Sequence, residues 1–228
     1  MRRVLENPDD TTQVFEVIRA LSGRDLDRVM QRVRRDPVGR RIVKERRDLV
    51  PVLSDSERLL SLPEDTLGNQ YARFVAAEQI SAAGLADASM TGSEDVLEDV
   101  DLETAAFGAR LRDMHDLWHV VTGYSRDVRG ELALLAFTYE QTRNRGIGYL
   151  VRMARRRIEA GGNTEIADFL DEASERGRSA AFLPAADWEA LLERSLEEVR
   201  NVLRVGKPVD YEQVRTPAGE AAAAAAST

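Results

Sequence analysis

At 228 residues, 43% hydrophobic and 32% charged, the chain has the size and composition of one globular, soluble domain with a real core. A net charge of -8 argues against nucleic-acid binding, and the lack of cysteine removes disulfides, thiolate metal sites and cysteine nucleophiles. The opening MRRVLENPDD has no apolar stretch behind its arginines, so it is not a secretory signal, and the aliphatic cluster at 132–137 is far too short to span a bilayer.

Helical periodicity dominates and strand alternation is nearly absent. Thr11 and Thr12 can cap a helix carrying Val14, Phe15, Ile18 and Leu21, ended by Gly23. Leu26, Val29, Met30 and Val33 mark a second, and Pro37 opens a third carrying Ile42 and Val43. After a break at Pro51 and 54–56, a longer helix follows Pro63, with Leu67, Tyr71, Phe74, Val75 and Ile80 in phase. The small, acidic stretch 84–101 reads as a loop or a short, poorly formed helix. One strong helix is expected over 102–121, closed by Thr122 and Gly123, and another over 127–145. Gly146 and Gly148 are expected to interrupt the chain before an arginine-rich helix to Ala160. Gly161, Gly162 and Asn163 stop and recap it, 164–176 is amphipathic, and Asp187 caps a last helix with Trp188, Leu191, Leu192, Leu196 and Val199 on its apolar face. The expectation is a single all-α domain over 1–218, a bundle of roughly eight to ten helices, with 219–228 a disordered alanine-rich tail.

The chain's two histidines stand four apart, in HDLWHVVTGYSRDVRGE. At about 100° per residue, His115, Asp116 and His119 fall within an arc of about 100° on one helix face. Gly123 suits the left-handed residue that ends the helix, and Ser125 or Asp127 can cap the next. So short a connection makes the two helices antiparallel neighbours. His119 lies one turn before the break and Glu131 one turn after the restart, so the two should face each other, with Gly130 allowing close helix approach. Two neutral imidazoles and two carboxylates suit zinc, iron(II), manganese or cobalt. The plainer reading is a surface or satisfied-core histidine pair, which predicts two exposed imidazoles where the metal reading predicts two ligands in a pocket.

The pattern excludes other chemistries. It is not HExxH, and the histidine–aspartate phosphohydrolases need more histidines than this chain owns. A serine–histidine–acid triad would have to borrow one of the same imidazoles. No Walker loop is present, nor a dinucleotide fingerprint in a strand-to-helix setting.

His115-Asp116-x-x-His119 followed by Glu131 resembles the signature of the ubiquinone-biosynthesis family called coenzyme Q protein four. DPVGRRIVKERRDL, LPEDTLGNQYARF and DWEALLERSLEEVRNVL are similar to other blocks of that family, so the resemblance covers residues 10–205. It implies an all-helical fold, a divalent metal often taken to be zinc, and catalytic and metal-binding roles for His115, Asp116, His119 and Glu131. It also implies membrane association and binding of a polyprenylated quinone precursor or other isoprenoid lipid. Family members are described both as organisers of a biosynthetic complex with other quinone-biosynthesis proteins and as enzymes. The enzymatic role is oxidative decarboxylation, replacing the carboxyl of a polyprenylated 4-hydroxybenzoate-type ring with hydroxyl. A non-enzymatic lipid-binding scaffold with a structural metal is the alternative. No mitochondrial presequence is evident, which points to a bacterial protein, cytoplasmic or peripheral on the inner face of the cytoplasmic membrane; a homodimer is allowed for. The alanine-rich tail has no family counterpart.

Other residues invite plainer readings. Leu67, Gly68, Tyr71 and Phe74 suit a prenyl channel, with Leu132 and Leu135 near the metal, but ordinary packing is favoured for each. Arg143, Arg145, Arg152, Arg155, Arg156 and Arg157 suit lipid headgroups, yet such a cluster is more often a solvated face neutralised by acids. Trp118 points away from the histidine face and is assigned to packing. Asp113, Arg112 and Arg126 are near enough to support the histidines.

Overall fold

The structure is a computed structural model and describes residues 24–78 and 102–214. The helix expected after Thr11, the 84–101 stretch and the alanine-rich tail lie outside those residues.

Helices α1 (Asp25–Val33) and α2 (Pro37–Glu45) come first, and Asp36 caps α2 by accepting the Val38 and Gly39 amide protons ahead of Pro37. Then follow α3 (Val50–Leu53), α4 (Ser56–Ser61) and α5 (Leu67–Ala77), the last capped by Thr66. After them come α6 (Leu102–Asp113), α7 (His115–Thr122), α8 (Val128–Thr142), α9 (Arg145–Ala160) and α10 (Thr164–Ser179). A 3-10 turn at Leu183–Ala185 leads to α11 (Trp188–Leu191) and α12 (Leu196–Leu203). Among the described residues the only strand-like feature is an isolated bridge between Thr66 and Ser195, so the all-α expectation holds.

Four boundaries differ from expectation. The last helix expected after Asp187 divides in two, α11 closing at Leu191 and Ser195 capping α12 by accepting the Glu198 amide. The helix expected over 102–121 divides at Met114, where ψ opens to -4° while the residue stays in the right-handed helical region. The hydrogen-bond ladder nevertheless runs through it, from Met114 N–H to Arg110 O and from Trp118 N–H to Met114 O. The helix expected to reach 145 ends at Thr142, because Arg143 turns left-handed (φ 54°) and Asn144 caps α9. Gly146 and Gly148 therefore sit inside α9 and do not interrupt the chain. At Gly148 the missing side chain makes room for the Tyr139 ring.

The main core surrounds α8, which lies along α10. Ala133, Leu134, Ala136 and Phe137 bury against Leu170 and Ala173, and the same core takes in Tyr71, Leu117, Trp118 and Trp188. Gln141 ties this layer together: its side-chain amide donates to Gly177 O (2.7 Å) and its oxygen accepts the Leu183 amide (2.9 Å). A smaller cluster of Val29, Met30, Val33, Val43 and Phe107 joins α1, α2 and α6. Buried Arg110 fastens α6 to α11 by a two-pronged pair with Glu189 (2.8 and 2.7 Å).

Helices α8 and α10 approach closely at Gly177, where a Cβ would lie 2.7 Å from Phe137 O, a backbone atom that cannot swing aside. Gly177→Ala is therefore expected to destabilise the protein by about 1–3 kcal/mol through overpacking. The change should appear as a lower midpoint in urea unfolding. An unchanged midpoint would mean that α8 and α10 are not packed this tightly.

Candidate metal centre

The centre begins with α7, a helix of eight residues buried from Asp116 through Thr122. Its C-terminal carbonyls have no partners within the helix and little access to water. His119 O accepts the amide of Gly123, which takes the left-handed conformation (φ 80°) that glycine tolerates best. Val120 O and Val121 O accept from the Arg200 guanidinium (3.1 and 2.9 Å), and Thr122 O accepts from Arg176 (2.9 Å). Two arginines from α10 and α12 thus fix the end of the helix that carries both histidines. The 123–127 loop follows, and Asp127, as one of the two expected caps, accepts the Arg129 amide (3.1 Å) to start α8. Glu131 stands one turn into α8.

These elements bring the expected side chains together. The two histidine Nε2 atoms lie 3.2 Å apart. The Glu131 carboxylate lies 3.6 Å from His115 Nε2 and 3.4 Å from His119 Nε2. Asp116 offers an oxygen, so that the ligand atoms of His115, Asp116 and His119 all fall within 4.8 Å of one another. Donors about 2.0–2.2 Å from a tetrahedral zinc ion stand roughly 3.3–3.5 Å apart, so the spacing of the histidines and Glu131 fits a divalent metal without rearrangement. The donor types suit the same ions named from sequence.

The tautomer fits as well. His119 Nδ1–H donates to the Tyr124 carbonyl (2.8 Å), which leaves Nε2 as the lone-pair nitrogen facing the other groups. Sequence reasoning did not find this partner, because a backbone carbonyl carries no residue-type signal. Of the three supporting residues proposed, Arg126 lies beside the site, its Nε 3.4 Å from a Glu131 oxygen, whereas Arg112 pairs with Asp113. The Phe74 ring stacks on His119 at 5.7 Å between centroids. Leu67 and Tyr71 are fully buried in the core, as plain packing requires, and Trp118 packs edge-on against Phe137. Gly130 admits Ser125 O and the Tyr211 hydroxyl, not a neighbouring helix. In the arginine cluster, Arg143 pairs with Glu140 and Arg145 with Asp25, while Arg155 bonds Glu159 and Asp171.

Charge in the centre is strongly coupled. Burial alone would push the His119 imidazole down, but Glu131, the Tyr124 carbonyl and Asp116 together raise it above its ordinary 6.5. Burial likewise opposes ionisation of Glu131, yet the charges and hydrogen bonds of His119 and His115 hold its carboxyl well below the ordinary 4.5. His119 is fully buried, whereas His115 and Glu131 each remain 34% exposed, so the site opens on their side.

An all-helical protein with two imidazoles and two carboxylates brought together by two consecutive helices is the class that fold and geometry define. Residues 3–209 match the family described as coenzyme Q (ubiquinone) biosynthesis protein Coq4, and the chain belongs to that family. The mitochondrial ubiquinone biosynthesis protein coq4 of Aspergillus flavus is 32% identical over 181 residues, covering 79% of this chain and 60% of that protein. Its Scheffersomyces stipitis counterpart, also mitochondrial, is 26% identical over 191 residues, 83% of this chain and 57% of that protein. The chain thus spans about 60% of the length of such relatives. A crystal structure of a Nostoc punctiforme PCC 73102 protein provisionally assigned to ubiquinone biosynthesis shares the fold, with a TM-score of 0.66 at 23% identity over 90% of this chain and 93% of that one.

The coupling sets a pH signature for the metal-free protein. The raised His119 stabilises fully below pH 6.5 and fades as pH climbs through its folded value; the depressed Glu131 contributes fully above pH 4.5 and fades as pH falls through its own. The pair should therefore contribute most between pH 4.5 and 6.5, and Glu131→Gln should flatten that part of the thermal-stability profile. A wild-type profile already flat there, after metal stripping, would rule the coupling out.

Proposed function

We propose that this chain works in coenzyme Q synthesis as a metal-dependent enzyme, with His115, Asp116, His119 and Glu131 holding one divalent ion, zinc foremost and iron, manganese or cobalt as fitting alternatives. The observation that carries the reading is the convergence of both Nε2 atoms and the Glu131 carboxylate within 3.2–3.6 Å. The reaction is oxidative decarboxylation of a polyprenylated 4-hydroxybenzoate-type ring, replacing its carboxyl with hydroxyl. Because that replacement is an oxidation, molecular oxygen or another oxidant enters as a co-substrate. A bound ion supplies Lewis acidity to the ring carboxylate or a neighbouring phenolic oxygen.

The chain's own residues do the rest. His119, buried and held by the Tyr124 carbonyl, keeps its Nε2 in the site. His115 and Glu131, at the exposed rim, face the side from which a ring can enter. Glu131 stays ionised far into the acid range, so its carboxylate is available to ligate. No helix among the described residues is long and apolar enough to cross a membrane. In this reading, contact with a membrane-resident prenyl substrate is peripheral. Arg152, Arg156 and Arg157 are exposed on α9 and suit such contact, and other quinone-biosynthesis proteins are natural partners.

One observation favours the scaffold reading: Asp116 lies within 4.8 Å of the histidine donors and Glu131 within 3.6 Å of them, so four protein groups are at hand, the number typical of a structural zinc site. Two measurements separate the readings. Untagged wild-type protein should carry one metal per chain by elemental mass spectrometry, lost in His115→Ala/His119→Ala. In a strain whose own gene is deleted, folded Glu131→Gln should leave quinone at the deletion level while the carboxylated ring precursor accumulates. Normal quinone with that variant would leave a scaffold.

A further inference from the structure

The segment 207–214 runs over the 123–127 loop, and the two are joined by more polar contacts than a passing chain end needs. The Tyr211 hydroxyl donates to Asp127 Oδ2 (2.6 Å) and accepts the Ser125 amide (2.8 Å). Val214 N–H donates to Asp127 Oδ1 (3.0 Å), the same carboxylate that caps α8. Val214 O in turn accepts from Val128 N–H (3.0 Å), one of the first amides of α8, which lack partners within the helix. Gln213 bonds the Ser125 hydroxyl (2.9 Å), and Pro208 sits so close to Gly123 that a Cβ there would lie 2.6 Å from it. The Tyr211 ring packs against Phe169 (4.8 Å) and Tyr124 (6.4 Å). Arg176 holds both sides, donating to Thr122 O on α7 and to Val205 O and Lys207 O at the head of the segment.

Each of these contacts bears on a metal-site residue at one remove. The loop they clamp contributes the Tyr124 carbonyl that fixes His119, and it sets where α8 starts and hence where Glu131 stands. We infer that segment 207–214 is a strap that positions the metal centre, with Tyr211 and Asp127 as its positioning residues, acting through the Tyr124 carbonyl on His119 and through the start of α8 on Glu131. The inference rests on the metal reading above for its effect on affinity, but the hold on His119 stands apart from any metal. Tyr211 and Val214 lie beyond the residues 3–209 that match the family.

The test compares full-length wild type, Tyr211→Phe and Asp127→Asn. Tyr211→Phe keeps the ring packing and loses only the hydroxyl; Asp127→Asn keeps an oxygen for the helix cap and removes the carboxylate that Tyr211 needs. Zinc affinity is measured by competition with a chromophoric chelator, and the histidine tautomer by nitrogen-15 NMR of metal-free protein at alkaline pH, where the imidazoles are neutral. With only two histidines in the chain, both are assignable. Both variants should keep wild-type helical circular dichroism, bind zinc about tenfold or more weakly, and shift His119 away from the pure Nδ1–H tautomer. Wild-type affinity together with a wild-type His119 tautomer in both variants would overturn the strap's role. If wild type itself takes up no zinc, the metal reading falls, and the tautomer alone decides: unchanged in both variants, it overturns the strap; shifted, it upholds the strap's hold on His119.

Discussion

The structure turns on how the C-terminal carbonyls of α7 are satisfied inside the protein. A helix of eight residues, buried along nearly its whole length, cannot leave those groups to water, and each unpaired one would cost on the order of 1–3 kcal/mol. Arg176 and Arg200 meet that demand from two other helices, and Gly123 meets it locally. Each guanidinium is tied to the chain elements it touches, so α7 can neither slide nor rotate without breaking several charge-assisted bonds at once. The bearing of His115 and His119 follows from that anchorage. Their rings are set by the packing of α7 in the core, with Phe74 stacked on His119 and Trp118 against Phe137.

That anchorage also explains why so much charge is tolerated in one place. Two carboxylates and two imidazoles gathered where Asp116 and His119 are buried would ordinarily be costly. Here the Glu131 carboxylate stands within 3.6 Å of both imidazoles and 3.4 Å of Arg126 Nε, so its charge is never isolated. Two carboxylates and two neutral imidazoles would balance a divalent ion in full, whereas removing either acid would leave excess positive charge in the pocket. The same balance raises the cost of any single substitution among the four residues above the value of one lost contact.

Legibility from sequence followed the range of the interactions. The histidine spacing, the left-handed Gly123, the Asp127 cap and the position of Glu131 were readable because each is decided within one turn of chain. Trp118 was placed correctly for the same reason. What escaped was decided at a distance or by backbone: the Tyr124 carbonyl, the two arginines on the end of α7, and Tyr211, more than eighty residues from Asp127 along the chain. The break at Met114 escaped too, since neither proline nor glycine marks it. Gly130 and Gly148 differ from expectation for one reason: each makes room for a carbonyl, a hydroxyl or a tyrosine ring where glycine suggests a helix crossing or an interruption.

The uneven exposure of the four residues bears on what the centre is for. A site built only to brace a fold gains from enclosing every ligand, because each exposed donor exchanges with water and weakens the brace. His119 and Asp116 follow that rule, at the inner side of the cluster. His115 and Glu131 depart from it, and they are the pair that reaches across between α7 and α8. The inner half is locked by backbone and arginine contacts while the outer half faces solvent. That division is what a site needs if it must hold its geometry and still admit a second molecule, and it is the feature on which the enzymatic proposal and the scaffold alternative differ.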